Sequence, residues 1–188
     1  KFYSFALPAF AVLIAPSMLL AQNIIIEAED FNFDAGQFVE NPAIGAYASK
    51  GGVLGTPNVD FKENTPGTRL GNEAADGYRA PAAGSPGLPQ TAVNDDEARA
   101  EVTAAGKQEY ELASIEAGEW TNYTRTFPAG NYQVRARLKM GDDPIPFIAR
   151  LEKVTSNPAE PNQISEAYGT FLGRNASMTY DFLSLTDV

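Results

Sequence analysis

The chain of 188 residues contains neither cysteine nor histidine. Without cysteine it can form no disulfide and no thiolate, and without histidine it lacks the commonest general base and the commonest zinc ligand. Nucleophilic triads built on Ser–His or Cys–His pairs are therefore excluded. The sequence also lacks a nucleophile-elbow motif, a phosphate-binding loop and a metal-hydrolase signature.

Positive charge is scarce, with 14 Lys and Arg against 24 Asp and Glu and a formal net charge of −10. Such a chain repels nucleic acid and anionic membrane surfaces, so neither is an expected partner. The acidic clusters at residues 95–97 and 142–143 lie in turn-rich stretches and indicate solvated loop charges rather than a pair of glycosidase carboxylates. We therefore expect a protein that is not an enzyme.

Only the N-terminus carries a long apolar run. Lys1 precedes the apolar residues 5–20, which Pro8 and Pro16 interrupt and after which Ala21 follows. This pattern predicts a secretory signal peptide over residues 1–21 and one mature domain over residues 22–188, exported from the cell or held at its surface. The alternative is a membrane anchor, but a spanning helix needs about 20 apolar residues and tolerates two prolines poorly, so we expect no membrane span in the mature form.

Glycine (16 residues) and proline (13 residues) are abundant, which is typical of short strands joined by many turns. Residues 132–139 alternate between apolar and polar side chains, as does a half-buried antiparallel strand. Further strands are predicted at residues 110–115, 120–127, 147–154, 163–171 and 178–183. This spacing predicts an all-β, antiparallel β-sandwich. No closing strand is evident near residue 188, so we expect the last strands to be missing.

The stretch from residue 32 to residue 108 is rich in turn formers. It predicts a long loop region with short extended pieces near residues 59–61 and 77–79, a short helix within residues 95–104, and a mobile stretch at residues 80–90. Loops of this length in a compact domain are usually disordered or bind something.

The segment 23–31 begins with β-branched residues and predicts a strand on which Glu27 and Glu29 share one face. Two neighbouring carboxylates repel each other unless a cation lies between them, and Ca²⁺ prefers such oxygen ligands. The alternative is that both glutamates are solvated on an edge strand.

Three motifs occur in a fixed order: Ile-Glu-Ala-Glu-Asp-Phe at 26–31, Gly-Glu-Trp-Thr-Asn-Tyr at 118–123, and Phe-Pro-Ala-Gly-Asn-Tyr-Gln-Val-Arg-Ala-Arg-Leu at 127–138. Together they resemble the family 6 carbohydrate-binding modules and their family 35 relatives, as found in large secreted bacterial proteins. The resemblance implies a galactose-binding-like jelly-roll sandwich, a structural Ca²⁺ with Glu27 and Glu29 as ligands, and binding of a polysaccharide or glycan.

Modules of this kind hold a sugar ring against aromatic faces with the help of polar groups. Trp120, the single tryptophan, matches a position that is usually in the core. The candidates for the sugar site are therefore loop aromatics, of which Tyr78 followed by Arg79 is the foremost. For Tyr78 the alternative is that it covers the edge of a sheet. The remaining candidates are Tyr47, Phe61 and Tyr168.

Two functions follow from these observations. The motifs favour a non-catalytic carbohydrate-binding module that attaches a larger secreted or surface protein to polysaccharide. The absence of a clear aromatic sugar platform favours the alternative, a structural or adhesive β-sandwich that mediates protein assembly, including self-association, in an extracellular matrix, a surface layer or a filament.

Overall fold

The computed structural model describes residues 23–47, 54–64, 78–79, 91–93, 97–113, 115–139, 147–173 and 179–186. The predicted signal peptide and the stretch 80–90 lie outside these residues. Within them strands predominate and helix is almost absent, so the predicted all-β class is confirmed. No helix in this part of the chain is long and apolar enough to cross a bilayer.

The described residues form eight strands and one short helix. In chain order these are β1 (Phe61–Lys62), β2 (Thr91–Val93), α1 (Ala100–Ala104), β3 (Tyr110–Leu112), β4 (Trp120–Thr121), β5 (Arg135–Lys139), β6 (Phe147–Val154), β7 (Ser165–Gly173) and β8 (Tyr180–Ser184). The strands pair antiparallel as β1–β4, β2–β3, β5–β8 and β6–β7.

The β6–β7 hairpin is the longest paired element, and β6 has the predicted bounds. Its inward side chains, Phe147, Ala149 and Leu151, are half-buried, while Ile148 and Arg150 are exposed, which is the period of two that the sequence shows. The register shifts after the pair Leu151–Gly169, because the next pair is Glu152–Ala167. Tyr168 is the extra residue of this β-bulge.

A single bridge links β7 to the chain beyond β8. The backbone groups of Thr170 and Thr186 exchange two hydrogen bonds, each 3.0 Å between nitrogen and oxygen. The approach is so close that a Cβ atom on Gly169 would lie 2.4 Å from the Thr186 carbonyl oxygen. Glycine at position 169 is therefore required for β7 and the segment after β8 to meet.

The opening segment does not form the predicted strand. Residues 23–27 pair with no strand in the described part of the chain, and the Asp30 N–H donates to the Glu27 carbonyl over 3.0 Å, which closes a turn. β-branched residues favour extended backbone, but a strand also needs a partner ladder. None of the described strands lies beside this segment, and Ile25 and Ile26 are exposed.

A buried core lies where the residues around Phe31 meet β1 and the turn that precedes β1. Phe31 and Phe61 are buried, with their ring centroids 5.8 Å apart in an edge-on arrangement. Gly55 lies against both rings, and a Cβ atom there would come within 2.8 Å of Phe31 and 2.7 Å of Phe61.

The buried carboxylate of Asp60 joins two loops. It accepts hydrogen bonds from the backbone N–H groups of Ala35 at 3.0 Å, Gly36 at 2.7 Å and Thr56 at 2.8 Å. Ala35 and Gly36 have positive φ angles of 56° and 91°, a conformation in which successive N–H groups converge. Asp60 therefore fixes residues 33–37 against residues 54–60.

Candidate functional site

Arg79 lies in the interior between aromatic rings. Its guanidinium carbon is 3.7 Å from the centroid of Phe31 and 4.7 Å from that of Tyr47. The guanidinium also donates to the carbonyl oxygens of Asn32, at 3.2 Å, and Phe31. Burial lowers the pKa of Arg79 to about 10.

Tyr78 is fully buried beside it. Its hydroxyl donates to Asp30 Oδ1 over 2.7 Å and accepts from the Tyr47 N–H over 3.1 Å, while the Tyr78 N–H donates to the Thr91 hydroxyl over 3.0 Å. Its ring centroid is 4.7 Å from that of Tyr110. Burial raises the pKa of the Tyr78 hydroxyl well above its ordinary value.

These positions correct the prediction of an open sugar site around Tyr78 and Arg79. Tyr47 is also fully buried, and its hydroxyl accepts a hydrogen bond of 2.9 Å from the Val39 N–H. Phe61 packs in the core. No ring face of these residues is open to a ligand, because aromatic neighbours and the segment after residue 30 cover them.

Tyr168 is the predicted ligand residue that remains at the surface, with 52% of its area exposed. It occupies the bulge of the β6–β7 hairpin, a position that typically re-aims a side chain. Polar groups lie on the strands around it: the Ser165 hydroxyl donates to the Glu152 carboxylate, and Arg150 Nη1 lies 3.3 Å from Glu152 Oε1. Tyr168 is therefore an exposed aromatic ring at the bulge of a hairpin that also carries polar side chains.

Arg99 provides the positive charge next to Glu27. Arg99 Nη2 donates to both carboxylate oxygens of Glu27 at 2.8 Å, and Arg99 Nε donates to the carboxylate of Glu109. Arg137 Nη1 approaches Glu109 at 3.1 Å from β5. In this arrangement a guanidinium occupies the place beside Glu27 where the sequence predicted a metal cation.

Glu29 forms no hydrogen bond or ion pair with Arg99 among the described residues, although the charges of Glu27 and Arg99 act on it. It is buried and makes no ion pair with the described residues. Burial raises the pKa of its carboxyl to about 8, and the negative charges of Glu27 and Asp30 add to the effect. No group of three or more acidic side chains that could hold a metal occurs among the described residues.

Asp30 and Arg125 form a second buried charged cluster. Asp30 Oδ1 accepts from Tyr78, whereas Oδ2 has no hydrogen-bond partner in the described structure. Burial raises the pKa of Asp30, against the Tyr78 hydrogen bond and the charges of Arg79 and Arg125. Arg125 donates to the carbonyls of Asp30 at 3.0 Å and Thr124 at 2.7 Å. Arg125 thus holds the backbone at Asp30 and Thr124, and the Asp30 carboxylate holds the Tyr78 hydroxyl.

The motif at residues 118–123 binds the N-terminal half of the chain. Asn122 Nδ2 donates over 2.6 Å to the Val59 carbonyl and over 2.6 Å to Gln163 Oε1. The Tyr123 hydroxyl donates to the Ala28 carbonyl over 2.7 Å. Trp120 was expected in the core but is 37% exposed, and the strand on which it lies, β4, is only two residues long.

Sequence reasoning missed Arg99, Glu109, Arg125 and Asp30, which carry the buried charge network. Their partners are 10 to 95 residues away along the chain, so no local spacing marks them. The one available signal was the scarcity of basic residues among many acidic ones, which makes each arginine a probable ion-pair partner.

No protein-family model, no curated protein and no solved structure matches this chain.

Proposed function

We propose that this chain is a secreted, non-catalytic carbohydrate-binding module that attaches a larger protein to polysaccharide, with a galactose-binding-like jelly-roll sandwich as its complete fold. The observation that carries the proposal is the exposed ring of Tyr168 on the β6–β7 hairpin.

An aromatic ring with one open face suits a pyranose, whose axial C–H groups pack against the ring while neighbouring polar groups bind its hydroxyls. Glu152, Ser165 and Thr170 provide polar side chains on the same hairpin. The paired residues of β6 and β7 on both sides of the bulge hold the backbone around Tyr168, which lowers the entropic cost of binding.

The three ordered motifs give the proposal independent support, since they resemble carbohydrate-binding modules of families 6 and 35. Two of the motifs contact each other through the hydrogen bond from Tyr123 to Ala28. A shared structural role for the opening and central motifs is what the resemblance implies.

Calcium belongs to this proposal as a structural ion. Glu29 offers a buried carboxylate without a cationic partner among the described residues, which suits a hard cation. Glu27 would complete the pair after exchanging Arg99 for the ion. Bound calcium would supply the positive charge that the Glu29 carboxylate lacks among the described residues.

The first test is binding of the secreted chain to a panel of soluble and insoluble polysaccharides. We expect saturable binding that Tyr168→Ala weakens at least tenfold, because a stacked aromatic ring dominates such sites. Tyr132→Ala is the matched control, since Tyr132 is a second exposed tyrosine outside the hairpin. Equal binding by wild type and Tyr168→Ala would exclude the hairpin as the sugar site, and no binding to any glycan would overturn the proposal.

The second candidate function is protein assembly, and a specific surface favours it. Ile148 and Leu172 are directly opposite each other on β6 and β7, and both are exposed. An exposed apolar cross-strand pair beside an edge strand is typical of surfaces that contact another protein.

A further inference from the structure

β6 is an edge strand in the described structure. Its eight residues pair with β7 on one side, and no other described strand pairs with its second side. Alternate residues along that side present backbone N–H and C=O groups without a ladder partner. A strand from another molecule can add to such an edge by forming a continuous ladder.

The residues at alternate positions of β6 from Ile148 to the half-buried Val154 have a symmetric order. Ile148, Arg150, Glu152 and Val154 occupy one face, with an apolar residue at each end and opposite charges between them. Ile148 is 67% exposed, and the side chains of Arg150 and Glu152 are 63% and 37% exposed.

This order is complementary to itself when the strand is reversed. If two copies of β6 run antiparallel about a two-fold axis at Leu151, Arg150 of each copy faces Glu152 of the other, and Ile148 of each faces Val154. Two cross-strand ion pairs and two apolar pairs then form on one face. A two-fold axis makes each contact occur twice, as in most homodimers.

We propose that β6 is the contact between two copies of this chain, which pair edge to edge about a two-fold axis at Leu151. The partner is a second copy because the charges of β6 match the reversed strand itself. The apolar residues Ile148 and Leu172 flank the contact and lose exposure when the second copy docks.

The charges on β5 have the opposite consequence. β5 also pairs on one side only in the described residues, but Arg135, Arg137 and Lys139 share one of its faces. An antiparallel copy of β5 centred on Arg137 would place Arg135 against Lys139 and Arg137 against itself. Like charges directly opposite each other destabilise a strand pair. The charges of β5 therefore disfavour antiparallel pairing with a second copy of β5, whereas those of β6 favour such pairing.

This inference rests on the assembly candidate above and does not require sugar binding, although Glu152 belongs to both proposed surfaces. Within one molecule Arg150 and Glu152 also approach each other at 3.3 Å, so a single charge reversal changes both an internal pair and the proposed contact. The experiment must therefore separate the two effects.

The test compares Arg150→Glu, Glu152→Arg and the double variant with wild type by sedimentation equilibrium over a wide concentration range. Each single variant places like charges opposite each other in its own dimer, so we expect its dimerisation constant to weaken at least tenfold. The double variant restores opposite charges and is expected to dimerise like wild type. Arg135→Glu on β5 makes the same charge change away from the contact and is expected to have no effect.

Mixing the two single variants gives the deciding result. One copy then carries two glutamates and the other two arginines at positions 150 and 152, so a heterodimer regains both ion pairs although neither molecule regains its internal pair. Recovery of dimer in the mixture supports the proposal. A wild-type chain that stays monomeric would overturn both assembly and the β6 contact, whereas dimers that the charge reversals leave unchanged would retain assembly and overturn the β6 contact alone.

Discussion

At the scale of single residues, burial decides the chemistry of Glu29. Its carboxyl has an ordinary pKa near 4.5 and a folded pKa of about 8, because desolvation favours the neutral form. The folded state therefore binds a proton that the unfolded state releases above its own pKa. This group's contribution to stability is complete below pH 4.5 and is lost as the pH rises to 8.

We predict that the free energy of unfolding of the calcium-free wild type falls between pH 5 and pH 8 by on the order of a few kcal/mol through Glu29. Glu29→Gln keeps the neutral, hydrogen-bonding side chain and is expected to remove this part of the pH dependence. Urea denaturation of both proteins at several pH values in the presence of chelator measures it. The exposed Glu166→Gln is the matched control, and identical pH profiles for wild type and Glu29→Gln would contradict the prediction.

At the scale of elements, the contact between β7 and the segment after β8 depends on Gly169. A methyl group there would lie 2.4 Å from the Thr186 oxygen and 2.7 Å from Leu185 Cγ. Both the backbone oxygen and the branched side chain would have to move, which would break the bridge between Thr170 and Thr186.

We predict that Gly169→Ala lowers the free energy of unfolding by about 2 kcal/mol or more, since overpacking a close contact typically costs 1–3 kcal/mol. Gly130→Ala is the control, because the nearest atom to a methyl group there is 4.0 Å away. Denaturant unfolding of the two variants compares them directly. Equal stability would show that β7 and the segment after β8 can separate without loss.

The elements that sequence reasoning located are those with local signals. The period of two predicted the bounds of β6, and α1 lies within the predicted residues 95–104. The opening strand was wrong because β propensity describes a backbone preference, whereas a strand exists only beside a partner.

The burial of Tyr78 and Arg79 was missed for a related reason. Turn residues are usually at the surface, and these two do form a turn. They are buried because Phe31 and Tyr47, which are distant in sequence, cover them. Nothing in the spacing of aromatic residues tells a covered tyrosine from an exposed one such as Tyr168.

At the scale of the whole molecule, one ionic network joins distant segments. Arg99 binds Glu27 in the opening segment and Glu109 before β3, and Arg137 on β5 joins the same Glu109. Arg137 also lies 4.2 Å from the ring centroid of Tyr180 on β8. The network therefore connects the opening segment to β3, β5 and β8.

We predict that Arg99→Gln lowers the free energy of unfolding by about 2 kcal/mol, because it leaves two partly buried carboxylates without their shared cation. Arg99→Lys should recover only part of this loss, since an ammonium cannot reproduce the planar fork that binds both carboxylates. Thermal unfolding of the three proteins in chelator measures the series.

The Arg99→Gln variant also tests whether calcium binds at Glu27 and Glu29. If the ion binds at Glu27 and Glu29, removing the competing guanidinium should let calcium raise the melting temperature of Arg99→Gln by more than that of wild type. Glu29→Gln on the Arg99→Gln background is the control and should abolish the difference. A calcium effect that is absent, or equal in all these proteins, would exclude this position for the ion.

The hydrogen bonds of Asp60 have a consequence for the continuity of the chain. Its carboxylate holds the residues on both sides of the stretch 48–53, so the peptide bonds of that stretch are not what keeps the two sides together. A chain cleaved there should still migrate as one particle in native conditions and separate into two fragments only in denaturant. Asp60→Ala should weaken the association of the two fragments without abolishing it, because Arg79, Arg99 and Tyr123 also bind the part of the chain before residue 48.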